Sequence, residues 1–296
     1  MEGSKESSVS VHVEGREFSS IMSTPRGLLA VLSLRGEVHL IDEETGRSMC
    51  IARSGDNSDT RSAAFEPAGE GEDEASGRLY VTDMAAGAVM QIQEGEEAVE
   101  GTQDDNVFVN EYEGNALNGP HTIRFGPDGS MFFTDAGPFG DATIQEPRGS
   151  VYCVGVDHSG AQVLKPIVSS CLASPAGLAV SPNGNAIYVC EMLKNRLLRF
   201  VQYPTGVWQC SVYHQFSGRM GPVAVCCAKD GTLYVARFDT RNCADKGVVS
   251  VLSPEGEFER NIMFPGPEIT GVALSRDQRS LFVTEKSQKA VYKAEI

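Results

Sequence analysis

Arg61 and His121 are the side chains of this sequence best placed to handle a small anion. A guanidinium gives a carboxylate or phosphate two parallel hydrogen bonds, and a His–Arg pair could bind either. The simpler alternative is that His121 bonds a neighbouring backbone group and Arg61 pairs with a nearby acid. Four carboxylates, Asp83, Asp135, Glu191 and Glu285, suggest paired-acid catalysis at first sight. They recur at one position of a repeated segment, however. Such recurrence predicts a repeated structural task, acceptance of backbone N–H bonds in the turn that follows. Arg237 breaks that series and is expected to pair with an acid of a neighbouring unit.

Nucleophile and metal signatures are missing from the sequence. It has no G-x-S-x-G elbow, no H-E-x-x-H and no phosphate-cradling glycine loop. His12, His39, His158 and His214 lack metal-ligand spacing and read as packing or surface residues. The eight cysteines include no C-x-x-C pair, which argues against a structural zinc site. Cys226 and Cys227 are adjacent and read as small buried strand residues, with a redox role as the alternative.

The elements that must position these residues are visible as a repeat. The segments GLLAVLS (27–33), GRLYVTD (77–83), GSMFFTD (129–135), NAIYVCE (185–191), GTLYVAR (231–237) and RSLFVTE (279–285) end 46 to 56 residues apart. A further strand follows each: 36–42, 87–93, 149–155, 195–201, 247–253 and 289–295. Apolar residues alternate in most of them, the period-two pattern of half-buried strands. First strands precede, as in HTIRFGP (121–127) and AGLAVSP (176–182), and 162–168 and 209–215 are the clearest fourth strands. Six units of four short strands predict an all-β fold, a single six-bladed β-propeller over 1–296. The expected blades are 16–53, 59–113, 119–169, 174–217, 219–264 and 267–296. The last unit lacks its outer strand. SVSVHVEG (8–15), with Val9, Val11 and Val13 in alternation, is predicted to supply it and close the ring.

Counting six residues back from the turn residues Pro25, Pro67, Pro127, Pro182, Lys229 and Arg276 gives Ser19, Arg61, His121, Ala176, Val223 and Thr270. These form the expected inner ring, where propeller loops converge on a central channel.

Net charge is −15, a balance that repels phosphate backbones and excludes nucleic acid as a partner. Much of the acid lies in two insertions, 66–77 and 94–106, a possible docking patch for a basic protein. No apolar run suits a membrane span, and the N-terminus has no secretory pattern. Both point to a cytoplasmic protein without a membrane partner.

P-x-x-I-x-F-x-P-D-G with F-F-T-D, followed by P-x-G-L-A-V-S-P-N-G with I-Y-V, resembles the senescence-marker-protein/gluconolactonase family. NRLLRF (195–200) is also similar to strictosidine-synthase-like and NHL-repeat propellers. The gluconolactonase resemblance implies a lactonase with a divalent cation, commonly calcium, at the channel centre. Its ligand positions carry over to Ser19 (with Glu17 two residues away), His121, Ala176 and Val223. None matches the family's oxygen ligands, and Ala176 and Val223 carry no donor atom. The expectation is therefore no cofactor and a non-catalytic propeller that docks protein partners, in a larger cytoskeletal or ciliary assembly. The alternative is a calcium- or other metal-dependent lactonase or esterase, with ligands drawn from Glu17, His121 and Asp141 or Glu146. A small anionic ligand near Arg61 and His121 fits either reading.

Overall fold

The computed structural model describes residues 8–55, 58–68, 77–95, 106–137, 140, 143–157 and 159–296. Six four-stranded antiparallel sheets form the blades of a ring. Blade 1 comprises Ser20–Thr24, Gly27–Leu32, Glu37–Ile41 and Ser48–Arg53; blade 2 comprises Thr60–Phe65, Leu79–Asp83, Ala88–Ile92 and Val107–Val109. Blade 3 holds Pro120–Phe125, Met131–Asp135, Gly149–Val156 and Gln162–Leu172; blade 4 holds Pro175–Val180, Ala186–Glu191, Arg196–Gln202 and Trp208–Gln215. Blade 5 is built from Gly221–Cys227, Leu233–Phe238, Gly247–Leu252 and Phe258–Phe264. Blade 6 has Ile269–Leu274, Ser280–Glu285 and Ala290–Glu295, and its fourth strand is Val9–Glu14 from the other end of the chain. The register Val9↔Ala294, Val11↔Tyr292 and Val13↔Val291 makes this closure an antiparallel pairing. First strands begin slightly earlier than expected in blades 3 and 4, because Pro120 and Pro175 already pair with Asp135 and Glu191.

Burial explains why the pattern alternates yet reads as strongly apolar. Each blade packs both faces against neighbours, so the core is divided into six clusters, one at each interface between adjacent blades. The closing interface holds Val13, Phe18, Ile21 and Leu28 against Ala273, Phe282 and Val291. Full burial of a Phe or Leu contributes about 1.5–3 kcal/mol. The first-to-second strand turns of blades 3, 4 and 5 use glycine where the chain reverses; Gly129 has a φ of 80°, in the left-handed region that a side chain would strain, and blade 6 puts Gln278 there at 61°.

Where adjacent inner strands meet, backbones approach closely. A Cβ on Gly177 would lie 2.5 Å from Cα of Ala224 on the next blade. Hydroxyls bridge the same interfaces. Thr82 Oγ1 donates to the carbonyl of His121 (2.9 Å), and Thr134 Oγ1 donates to that of Ala176 (2.7 Å). In blades 2 and 3 the threonine before the terminal carboxylate thus ties its own blade to the inner ring of the next.

A candidate ligand site at one mouth of the channel

The loops entering the first strands and the ends of the second strands surround one mouth of the channel. The cavity there measures about 470 Å3, and all six predicted inner-ring residues line it together with Glu17. Its two sides differ. Ala176, Val223, Met192 and Met220 make one apolar; Arg61, His121, Ser19 and Thr270 make the other polar.

Each polar group has a definite partner. Arg61 Nη2 meets Asp59 Oδ2 at 2.6 Å, as the simpler sequence reading required. His121 departs from that reading: its Nδ1 shares a hydrogen bond with the Thr122 hydroxyl at 3.0 Å, not with backbone. Burial, with Arg61 and Arg124 nearby, pushes the His121 pKa down to about 3, so the ring is neutral near pH 7. Ser19 Oγ turns to its own blade and donates to the Val31 carbonyl at 3.1 Å. Thr270 Oγ1 donates to the Phe18 carbonyl across the closing interface at 2.8 Å. Glu17 lies 3.6 Å from Lys286 and 3.9 Å from Lys289. Two buried atoms among the described residues lack any hydrogen-bond partner here, Arg61 Nε and Asp59 Oδ1.

The terminal carboxylates accept backbone N–H bonds, Asp83 and Glu285 from the turn that follows as expected, and all four from the loop that enters their own blade. Asp83 accepts from the amides of Ala85 and Ala86 in the turn that follows, at 3.0 and 3.1 Å. It also takes the amide of Asp59, in the loop entering its own first strand, at 3.1 Å. Asp135 takes Gly119 N–H at 2.7 Å, Glu191 takes Ala173 N–H at 2.9 Å and Glu285 takes Glu268 N–H at 2.9 Å. All four are fully buried. Arg237 corrects the expectation of an ion pair with another blade. Its Nη2 donates to the carbonyls of Ser217 and Gly218 (2.5 and 2.9 Å), in the loop entering its own blade. A donor has replaced an acceptor, and the loop presents C=O where the others present N–H.

Among the other expected residues, Glu146 is exposed, lies 3.7 Å from Arg148 and does not line the cavity; Asp141 and His158 lie outside the described residues. His12 bonds the Asp42 carbonyl at 3.0 Å and His214 that of Gly256 at 3.1 Å. Cys226 and Cys227 are half-buried rather than buried, and all eight cysteines are free. Among the described residues one group of three potential metal ligands converges, Glu37, His39 and Cys50 on blade 1. Arg53 lies 3.2 Å from Glu37, and Arg16 lies 3.2 Å from the His39 ring. Those cations oppose a divalent ion, and the group reads as a satisfied polar network.

Sequence counting found the ring but missed Asp59, which sits two residues ahead of Arg61 in the entry loop. An acid at i−2 from a ring cation was the available signal. It also missed Arg124, which reads simply as the outward member of an alternating strand. No helix among the described residues is long and apolar enough to cross a membrane.

The comparisons with known proteins follow the same geometry. A lactonase, drp35, from Staphylococcus haemolyticus is 28% identical over 146 residues, 48% of this chain and 41% of that protein. A gluconolactonase from Zymomonas mobilis is 27% identical over 118 residues, 38% of this chain and 30% of that protein. The chain thus spans less than half the length of these relatives. Among solved structures, a luciferin-regenerating enzyme superposes with a TM-score of 0.74 at 18% identity, over 98% of this chain and 95% of that one. A Xanthomonas campestris gluconolactonase gives 0.72 at 18% identity, over 98% and 89%. These likenesses establish the six-bladed fold. The family model described as the SMP-30/gluconolactonase/LRE-like region matches residues 20–287. With a six-bladed ring, the matching repeat and a model spanning nearly the whole chain, this protein belongs to the SMP-30/gluconolactonase/LRE-like family.

Proposed function

We propose that the channel-mouth cavity binds a small oxygen-rich organic molecule, of the lactone or hydroxy-acid class, without a calcium ion in the channel. The observation that carries this reading is the divided lining of the cavity, with Arg61, His121, Ser19 and Thr270 on one side and Ala176, Val223, Met192 and Met220 on the other. A polar wall facing an apolar one suits a molecule with oxygens on one side and a carbon skeleton on the other. A cavity of about 470 Å3 is of ordinary size for a small ligand. Met192, Met220 and Val223 supply apolar cover for a carbon skeleton. Lactones enter the reading through the names of the relatives alone.

The donor set does not fit calcium, which takes six to eight oxygens. Ala176 and Val223 offer none, His121 offers nitrogen, and Glu17 and Asp59 are already paired with cations. A metal-dependent lactonase with an altered ligand set is the rival reading, and the carboxylates of Glu17 and Asp59 at the cavity wall favour it. Protein docking through the acidic insertions is a further proposal, resting on segments mostly outside the described residues.

Thermal melts of metal-stripped protein, with aldonolactones and the corresponding acids, test the reading. Each is run with and without calcium, manganese or zinc, beside a pH-stat assay of lactone opening. A ligand at a hundred times its dissociation constant adds about 2.7 kcal/mol. The expected result is a metal-independent rise in the midpoint, abolished in Arg61→Met. Lactone opening that requires an added divalent ion would overturn the reading in favour of the metal enzyme. No shift with any organic ligand would remove it and leave docking, to be pursued by pull-down.

A further inference from the structure

The opposite mouth of the channel has a cavity of its own, about 340 Å3, and shares no lining residue with the first. Its charged lining is of one sign: Arg124, Lys229 and Arg276, with no Asp or Glu. In a chain of net charge −15 the reversal is confined to this lining, since Lys229 and Arg276 also border a neighbouring cavity that holds Asp42, Glu43, Glu44 and Asp277 beside Arg26 and Lys293. Lys229 and Arg276 occupy the turn position that four other blades fill with Pro25, Pro67, Pro127 and Pro182. Both side chains are exposed at the rim, and neither forms an ion pair among the described residues.

Arg124 lies deeper. Blades 3 to 6 place Arg124, Ala179, Cys226 and Ala273 at one register level, opposite Phe132, Tyr188, Tyr234 and Phe282. All four line this cavity, and Arg124 alone carries a charge. Its Nη1 donates to the Ile123 carbonyl at 2.7 Å and to Ser62 Oγ at 3.2 Å. Nε and Nη2 have no protein acceptor among the described residues, and no carboxylate pairs with the group. Burial depresses its pKa to about 10, the direction expected of a cation short of counter-charge. Three of the acids on the adjoining turns hold backbone amides of their own turns, and none pairs with Arg124. Asp128 accepts from Ser130 N–H (3.0 Å), Asp230 from Thr232 N–H (2.9 Å) and Asp277 from Arg279 N–H (3.0 Å). Glu43 takes the backbone amide of Arg276 at 3.2 Å.

The geometry points to an anion site at this second mouth, with Arg124 as its anchor and Lys229 and Arg276 as its rim, for a small multivalent oxyanion. A guanidinium with Nε and Nη2 free presents the two-pronged edge that a carboxylate or phosphate fills. Cys226 beside it holds its thiol neutral, since burial raises its pKa, and so adds no competing charge. The site does not depend on the lactone reading, because the two cavities are lined by different residues.

Isothermal titration at constant ionic strength tests it, with inorganic phosphate in one arm and citrate in the other. At least one probe should bind saturably with a dissociation constant below about 1 mM. Preference between the arms identifies the ligand as phosphate-like or polycarboxylate. Arg124→Met should weaken binding tenfold or more, Arg124→Lys should recover part of it, and Lys229→Gln with Arg276→Gln should weaken it severalfold. Arg61→Met, at the other mouth, should leave it unchanged. Native melts of each variant confirm that they fold. Absence of saturable binding in both arms would overturn the assignment, as would equal binding by wild type and Arg124→Met.

Discussion

Replacing Thr134 with valine keeps the shape of the side chain and removes one oxygen. That oxygen has two buried partners: it donates to the Ala176 carbonyl at 2.7 Å and accepts from Thr122 N–H at 3.0 Å. Thr134 is fully buried, so no water takes its place. Each stranded backbone group costs about 1–3 kcal/mol. Regained burial of a methyl offsets part of that, and a net loss of about 3 kcal/mol is expected. At about 2.1 cal/mol/K per residue, 296 residues give an unfolding entropy of roughly 0.6 kcal/mol/K. The midpoint should therefore fall by about 5 °C. Calorimetry measures the shift, and amide exchange at Thr122 and Gly177 reports whether the loosening is local to the interface of blades 3 and 4. Blade 4 has Cys190 in the equivalent place and blade 5 has Ala236, so the ring folds with some interfaces unlatched. A change within about 0.5 kcal/mol, the range of ordinary surface substitutions, would refute the idea that these hydroxyls hold the inner ring.

Three further outcomes are expected. Deleting residues 1–15 strips Val9–Glu14 from blade 6 and should lower the single melting transition of the whole ring by at least about 2 kcal/mol, measured by urea unfolding; a melt unchanged in midpoint would mean that the strand is dispensable. Gly177→Ala places a Cβ 2.5 Å from Ala224 Cα and 2.7 Å from the Val223 carbonyl, and should cost about 1–3 kcal/mol through backbone displacement, read by the same unfolding curves. His121 has a folded pKa of about 3, below the 6.5 of the free side chain. The unfolded chain therefore takes up the proton first, and stability present above pH 6.5 is lost as pH falls from 6.5 toward 3. His121→Gln should flatten that part of the stability–pH curve, and NMR of the imidazole should find it neutral at pH 5.

The strands of this fold were legible because each blade repeats the same alternation and the same turn, and six copies average out local exceptions. Ring closure was legible too, since SVSVHVEG had no other partner. The inner ring followed from a fixed offset to the turn residues. What could not be read is what those residues touch. Asp59 becomes part of the site through a loop whose path is set by Asp83 holding its amide, a contact 24 residues distant. Arg237 reverses the hydrogen-bond sense of a repeated position, and only the orientation of the Ser217–Gly218 carbonyls reveals it. Arg124 alternates like any strand residue. Its isolation is a property of five neighbouring strands together, and no single segment carries it.

Closure by a strand from the opposite end also orders events in time. The segment Val9–Glu14 leaves the ribosome first, yet its partner Ala290–Glu295 is made roughly 280 residues later. At about 5–20 residues per second that is an interval of roughly 14–56 s. Throughout it, Val9, Val11 and Val13 lack the strand they pair with in the ring. Closure of the ring therefore waits on the synthesis of Ala290–Glu295.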